Sequence, residues 1–216
     1  MKRKLILFDF DGTVIDNSEG IYNCIRYALA EKKLPEPDEK VLRSFVGPSL
    51  FDSFMSHCTD DKDTAEELVA LYRKRYAPVG STELVVYDGM RELLAKLRKD
   101  GCKTAVCSSK PFAFVEKIAK EQGLYDLFDG LFCPGFGSHV SDKTGLALEA
   151  ISHFGVNKEE TVLVGDTRFD IEAADGAGID CIGVLYGFGE THDMKNARYK
   201  AENAEGIYTV IAGEEK

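Results

Sequence analysis

Asp9 and Asp11 are separated by one residue and follow directly on the apolar run Leu5-Ile6-Leu7-Phe8, in the stretch Asp9-Phe10-Asp11-Gly12-Thr13. Side chains alternate faces along a strand, so the two carboxylates can point the same way if the strand continues. Gly12 favours a bend just past the strand's carboxyl end instead. In an open α/β sheet that end faces the ligand crevice. Two clustered carboxylates repel, and a divalent cation relieves the repulsion. One of them can then act as a nucleophile and the other as an acid/base. The competing reading is an ordinary Asp-Gly turn.

Three later segments carry related chemistry, each with a plainer reading beside it. In Val106-Cys107-Ser108-Ser109-Lys110 an apolar strand ends in hydroxyls before Pro111-Phe112; this is a helix cap or, with exposed N–H groups nearby, an anion site. Asp142-Lys143 opens the helical pattern Leu146, Ala147, Ala150, Ile151. Asp142 is a natural cap there, and Lys143 is either solvated or, being unfavourable against the helix dipole, put to another use. In Val164-Gly165-Asp166-Thr167-Arg168-Phe169-Asp170, Asp166 caps the next helix, or joins Asp170 on one helical face. Taken together the four segments offer carboxylates for a hard cation, hydroxyl and N–H groups for an oxyanion, and a lysine for charge. Phosphoryl transfer through an enzyme carboxylate needs that set.

The elements that must position these groups follow from periodicity. Leu5–Phe8, Lys103–Cys107, Gly130–Cys133, Thr161–Val164 and Cys181–Leu185 read as buried strands of a mostly parallel sheet. Helical patterns over Met90–Lys99, Phe112–Gln122, Gly145–Phe154 and Phe169–Ala177 alternate with four of them. That alternation predicts a Rossmann-like, doubly wound α/β fold. Ile207–Ile211 reads as a helix turn or an edge strand. About seventy residues before Met90 hold no convincing strand, far more than a βα connection needs. Within them Ile21, Cys24, Ile25, Ala28 and Leu29 recur at helical spacing, as do Ala65, Leu68, Val69, Tyr72 and Tyr76. Residues 17–84 are therefore expected to form a small inserted helical domain, and residues 1–16 with 85–216 the α/β domain.

The 216 residues are 44% hydrophobic and 30% charged, ordinary for a globular protein. A net charge of −10 argues against a nucleic-acid polymer or an anionic membrane as partner, though not against a small anionic substrate. Asp9 and Asp11 interrupt the first apolar run too early for a secretory signal or a membrane span, and no other segment is long enough. The six cysteines include no CxxC pair, so a disulfide scaffold or zinc site is not expected. The four histidines (His57, His139, His153, His192) have no metal-ligand spacing and read as surface or capping residues. These features predict a cytoplasmic protein, monomeric or homodimeric.

Asp9-x-Asp11-Gly12-Thr13, Ser108 after a hydrophobic strand, Lys143, and Gly165-Asp166-x-x-x-Asp170, in this order, resemble the four signatures of the haloacid dehalogenase superfamily. The resemblance spans essentially the whole chain and includes the inserted helical segment, which corresponds to the family's C1-type cap. It implies that Asp9 is a nucleophile forming an aspartyl-phosphate, and that Asp11 protonates the leaving oxygen and then activates water. It further implies that Ser108 and the N–H of Ser109 hold phosphate oxygens, that Lys143 neutralises charge, and that Gly12 and Gly47 border the phosphate or substrate. Mg²⁺ would be held by Asp9, the backbone carbonyl of Asp11, Asp166 and, directly or through water, Asp170. Lys143-Thr144-Gly145 departs from the Lys-Pro-x-Pro common at the third signature, which leaves Lys110 as the alternative catalytic lysine. Tyr186-Gly187-Phe188-Gly189 and Phe45-Val46-Gly47-Pro48 resemble a branch described as phosphoglycolate phosphatase-like or 5′-nucleotidase-like. The implied function is Mg²⁺-dependent hydrolysis of a small phosphorylated metabolite, with nucleoside monophosphates as the alternative substrate. Phosphomutase, dehalogenase and non-catalytic binding roles rank lower. In the inserted segment, the turn around Val46-Gly47-Pro48-Ser49 and the residues Arg43, Arg73 and Arg75 are candidate substrate contacts.

Overall fold

The computed structural model describes residues 3–46, 49–135, 142–189 and 193–213. Gly47 and Pro48, His139, His192 and the last three residues, on which some of the expectations above fall, lie outside the described residues. The chain divides into two compact units, one of Met1–Ile15 with Val86–Lys216 and the other of Asp16–Val85.

The first strand, β1 (Leu5–Phe8), is buried along its whole length, which explains its unbroken apolar run. After the short strand β2 (Ile15–Asp16) the chain enters the helical unit through α1 (Ser18–Glu31), α2 (Glu39–Ser44), α3 (Leu50–His57) and α4 (Lys62–Tyr76). Asp38, Ser49 and Asp61 cap the last three of these by accepting from the N–H groups of Val41, Asp52 and Thr64. Helices α1 and α4 bury the stripes expected from their spacing, Ile21, Cys24, Ile25, Ala28 and Leu29 against Ala65, Leu68, Val69, Tyr72 and Tyr76. Arg75 reaches Glu83 with both terminal nitrogens, at 2.8 and 2.9 Å. It therefore works as a fork that closes this unit, which is a use different from the substrate contact expected of it.

The chain returns through β3 (Val85–Val86) and continues as α5 (Met90–Lys99), β4 (Lys103–Cys107), α6 (Phe112–Glu121), β5 (Gly130–Phe132), α7 (Lys143–Phe154), β6 (Thr161–Gly165), α8 (Arg168–Ala177), β7 (Asp180–Val184), β8 (Tyr199–Ala201) and α9 (Ala204–Ala212). Six strands form one sheet in the order β5-β4-β1-β6-β7-β8. Every neighbouring pair is parallel, with Phe8 level with both Val106 and Val164. Strand order reverses direction at β1, whose neighbours are β4 and β6. In a doubly wound sheet that switch point, at the carboxyl ends of the strands, is where a ligand crevice opens.

On one face of the sheet, Leu5, Leu7, Ala105, Cys107 and Leu163 pack with Ala147, Ala150 and Ile151 of α7 and Ile171, Ala174 and Ala177 of α8. The small side chains on α7 and α8 let these helices approach the sheet and each other closely. Strand β8, which the apolar periodicity did not predict, has three residues and lies at the sheet edge, so it carries no apolar run to detect. Ile207–Ile211 lies within α9, capped by the Asn203 carboxamide on the Gly206 N–H. Among the described residues no helix is long and apolar enough to cross a membrane.

Candidate active site

Three neighbouring strands of the α/β unit, β4, β1 and β6, deliver Ser108, Asp9 and Asp166 to one sheet edge. Asp9 directly follows β1, and its N–H donates to the Val164 carbonyl of β6 at 2.8 Å, so the ladder extends to the functional residue itself. The chain then turns: Gly12 N–H donates to Ile15 O, and Val14 and Ile15 N–H both donate to Phe10 O. Gly12 has φ +82°, and a Cβ there would overlap the Asp166 carboxylate and the Phe188 ring. Glycine is needed both for the left-handed backbone and for the close approach.

Asp166, at the end of β6, does not cap α8. The cap is Thr167, whose N–H and hydroxyl both bond Asp170 Oδ2, at 2.9 and 2.8 Å, in a capping box. This leaves Asp170 Oδ1 facing Lys143, at 2.5 Å from Nζ. Asp166 instead accepts from the Thr13 hydroxyl at Oδ1 (3.2 Å) and from the Phe188 N–H at Oδ2 (2.7 Å). One oxygen from each of Asp9, Asp166 and Asp170, all buried, can be chosen so that the three lie within 4.8 Å of one another.

Lys143, the first residue of α7, is buried, and its ammonium bridges Asp170 and Asp9, lying 2.8 Å from Asp9 Oδ1. This lysine is therefore not the solvated one that its place at a helix start allows. Asp142 occupies the cap position without a side-chain bond to the helix. Lys110 also reaches the cluster, but at the other carboxylate: its Nζ lies 2.8 Å from Asp11 Oδ2, while Asp11 Oδ1 is buried with no hydrogen-bond partner among the described residues. The structure therefore gives the two lysines separate partners. Ser108 is buried at the end of β4, with its N–H on Phe132 O and its Oγ accepting from the Lys110 N–H at 3.3 Å. Its hydroxyl shapes the local turn; the N-cap of α6 is Pro111, and the Phe112 N–H bonds Pro134 O. Ser109 is half-buried beside it.

The electrostatics follow from this crowding. Burial, reinforced by Asp170 and Asp11 and opposed by Lys143, pushes the Asp9 carboxyl up to about 6. Burial together with Asp170 and Asp9 pushes Asp166 up to about 8. Burial works against the Lys143 ammonium, but Asp170 and Asp9 outweigh it and hold it above the ordinary lysine range. Three buried carboxylates face one buried ammonium, so two negative charges stay uncompensated when all are ionised. Oxygen-only donors with that excess suit a hard divalent cation. Burial raises Cys107 and Cys133, at the ends of β4 and β5, to about 12, which removes both as thiolate nucleophiles near neutral pH.

Several supporting residues carry no role that their sequence context suggests: Thr13 and Phe188 on Asp166, and Tyr186, whose hydroxyl donates to the Thr13 carbonyl at 2.9 Å. Their bonds run between distant segments and largely through backbone atoms, which leave no mark on residue type. The Tyr186-Gly187-Phe188-Gly189 stretch is the available signal. Arg168, the first residue of α8, lies over the Phe169 ring, 4.9 Å from its centroid.

Comparison with known proteins gives a consistent result. The model of the haloacid dehalogenase-like hydrolases matches residues 6–184. A 5′-nucleotidase of Pseudomonas aeruginosa is 37% identical over 194 residues, covering 88% of this chain and 86% of that protein. A phosphoglycolate phosphatase of Pseudomonas putida is 30% identical over 193 residues, covering 86% of this chain and 70% of that protein. A crystal structure described as a predicted phosphatase from Clostridium acetobutylicum aligns with a TM-score of 0.89 at 30% identity, covering 98% of this chain and 99% of that one. The chain belongs to the haloacid dehalogenase-like hydrolase family, in the company of its phosphatases.

Proposed function

We propose that this protein is a Mg²⁺-dependent phosphatase that hydrolyses a small phosphomonoester through a covalent intermediate on Asp9. The observation that carries the reading is the buried cluster of Asp9, Asp166 and Asp170 with, among the described residues, the Lys143 ammonium bridging two of the three. Such a site is costly to maintain unless a cation and an anionic substrate complete it. Mg²⁺, held by Asp9, Asp166 and Asp170 with the Asp11 carbonyl, would supply charge neutralisation at the transferring phosphoryl group.

The chain's own residues account for the remaining chemistry. Asp9 is the nucleophile: one of its oxygens attacks phosphorus, and the bond from phosphorus to the ester oxygen breaks. The Lys143 ammonium, 2.8 Å from Asp9 Oδ1, fixes the carboxylate and keeps it ionised for attack. Asp11 delivers a proton to the departing ester oxygen, then takes one from the water that attacks the phosphorus of the intermediate, releasing Asp9 and orthophosphate. Asp11 is placed for both steps two residues from Asp9, with Lys110 orienting its carboxylate at 2.8 Å from Oδ2. Ser108 and the Ser109 N–H receive phosphate oxygens at the end of β4. Residues 17–84, which include Gly47, are the counterpart of the family's C1-type cap domain and would select the leaving group.

For substrate, a phosphoglycolate-like small organic phosphate is the first reading. Nucleoside monophosphates are the second, favoured by the 37% identity with the P. aeruginosa 5′-nucleotidase. Phosphate release should be measured across phosphoglycolate, sugar phosphates and nucleoside monophosphates, with and without Mg²⁺. Selective Mg²⁺-dependent release from one class identifies the substrate, and no release from any ester would overturn the reading.

A further inference from the structure

The segment after β7 is tied to the catalytic loops more closely than a connection between elements requires. Its Phe188 N–H donates to Asp166 Oδ2 at 2.7 Å, and the Gly189 N–H approaches the same oxygen at 3.4 Å. Two residues earlier, the Tyr186 hydroxyl donates to the Thr13 carbonyl at 2.9 Å, and the Thr13 hydroxyl donates in turn to Asp166 Oδ1 at 3.2 Å. Both oxygens of Asp166 are thus approached by donors that this one segment supplies or anchors. The strands involved are not all neighbours. Thr13 follows β1 and Tyr186 follows β7, with β6 and its Asp166 between them in the sheet. Between the two donors sits Gly187, where a Cβ would overlap both the Asp166 side chain and the Gly12 carbonyl. Only a glycine permits that packing. Tyr186 is itself braced, its ring 4.6 Å from that of Tyr87.

From this circuit we infer that Tyr186 is a positioning residue: through Thr13 it fixes the orientation of the Asp166 carboxylate and thereby sets the affinity of the site for its divalent cation. The inference rests on the reading of Asp166 as a cation ligand. A carboxylate whose two oxygens both accept directed hydrogen bonds presents its remaining lone pairs in a fixed direction, as hydrogen-bond partners of metal ligands generally ensure. Loss of the Tyr186 hydroxyl leaves the Thr13 carbonyl without that donor, and the loop bearing Thr13 gains freedom to shift against Asp166.

The test is calorimetric titration of the full chain with Mg²⁺ alone, no substrate present, together with unfolding midpoints in chelator. Tyr186→Phe keeps the ring against Tyr87 and removes only the hydroxyl. Its Mg²⁺ dissociation constant should rise roughly two- to tenfold, the range expected for one net hydrogen bond, while the midpoint in chelator changes little. Tyr186→Leu also removes the ring; its midpoint should fall further, yet its Mg²⁺ affinity should weaken no more than that of Tyr186→Phe. A Tyr186→Phe protein that binds Mg²⁺ as tightly as wild type overturns the inference, as does affinity that follows the midpoint across both variants. Wild-type protein that binds Mg²⁺ but releases no phosphate from any ester removes the phosphatase reading and leaves this inference standing. Wild-type protein that binds no Mg²⁺ removes both the cation reading and the inference.

Discussion

Replacing Asp166 by Asn should make the cation-free protein more stable while destroying its site. Asp166 is buried among Asp9 and Asp170, and burial with those two charges pushes its carboxyl from 3.8 up to about 8. Asn fits the same space. Its carbonyl can accept the Phe188 N–H, and its amide can donate to a reoriented Thr13 hydroxyl. The main change is therefore loss of an unwanted charge. Each tenfold change in proton affinity corresponds to about 1.4 kcal/mol. Because the three carboxylates share the repulsion, we assign less than half of the total to Asp166, or about 2 kcal/mol near pH 8. For a chain of this length that is roughly 4–8 °C in unfolding midpoint. The sign with pH is fixed. A carboxyl with a raised folded-state pKa contributes its full stability below about pH 4 and loses it as pH rises through about 8, whereas Asn has no proton to lose. The midpoint difference should be near zero at about pH 4, grow to a plateau near pH 8, and reverse when Mg²⁺ saturates the wild type. Calorimetric unfolding in chelator across that range is the assay. An Asn variant less stable than wild type near pH 8, or a difference that ignores pH, would refute the reasoning.

Two further substitutions probe the same site. Gly12→Ala forces a left-handed backbone on a residue with a Cβ and drives that atom into Asp166, so it should cost about 1–3 kcal/mol in urea unfolding and weaken Mg²⁺ binding; wild-type stability in this variant would contradict the packing described. Lys110→Met removes the partner of Asp11 Oδ2, so kcat should fall by roughly ten- to a hundredfold while the Mg²⁺ dissociation constant stays within about twofold. A kcat equal to wild type would show that Lys110 does not hold the acid/base.

The sheet was legible because β1 and β6 are buried along their whole length and β4 from Thr104 onward, which keeps most of their residues apolar. Where burial is partial the signal fades. β8 has one fully buried residue of three, and Ile207 and Ile211 alone could not distinguish a helix from a strand. At the site, each residue type alone could have been a turn or a cap, and the signal was their joint arrival at the ends of neighbouring strands. Residue type does not carry geometry, and there the plainer readings failed. Lys143 looks solvated in a sequence, and its burial between Asp9 and Asp170 depends on α7 starting at that residue. Arg75 reads as a solvated arginine or a candidate substrate contact, whereas Glu83, eight residues on, holds its guanidinium. Tyr186 gives no hint of its acceptor, because the Thr13 carbonyl belongs to a backbone far away in sequence.

The central claim is that Asp9 accepts the phosphoryl group. The direct measurement is acid quenching of wild type during turnover of p-nitrophenyl phosphate with Mg²⁺, followed by mass analysis of the peptide containing Asp9 and Asp11. We predict one phosphoryl group on Asp9, with no label and no turnover in Asp9→Asn. Sustained hydrolysis by Asp9→Asn, or a phosphoryl group recovered on another residue, would contradict the account.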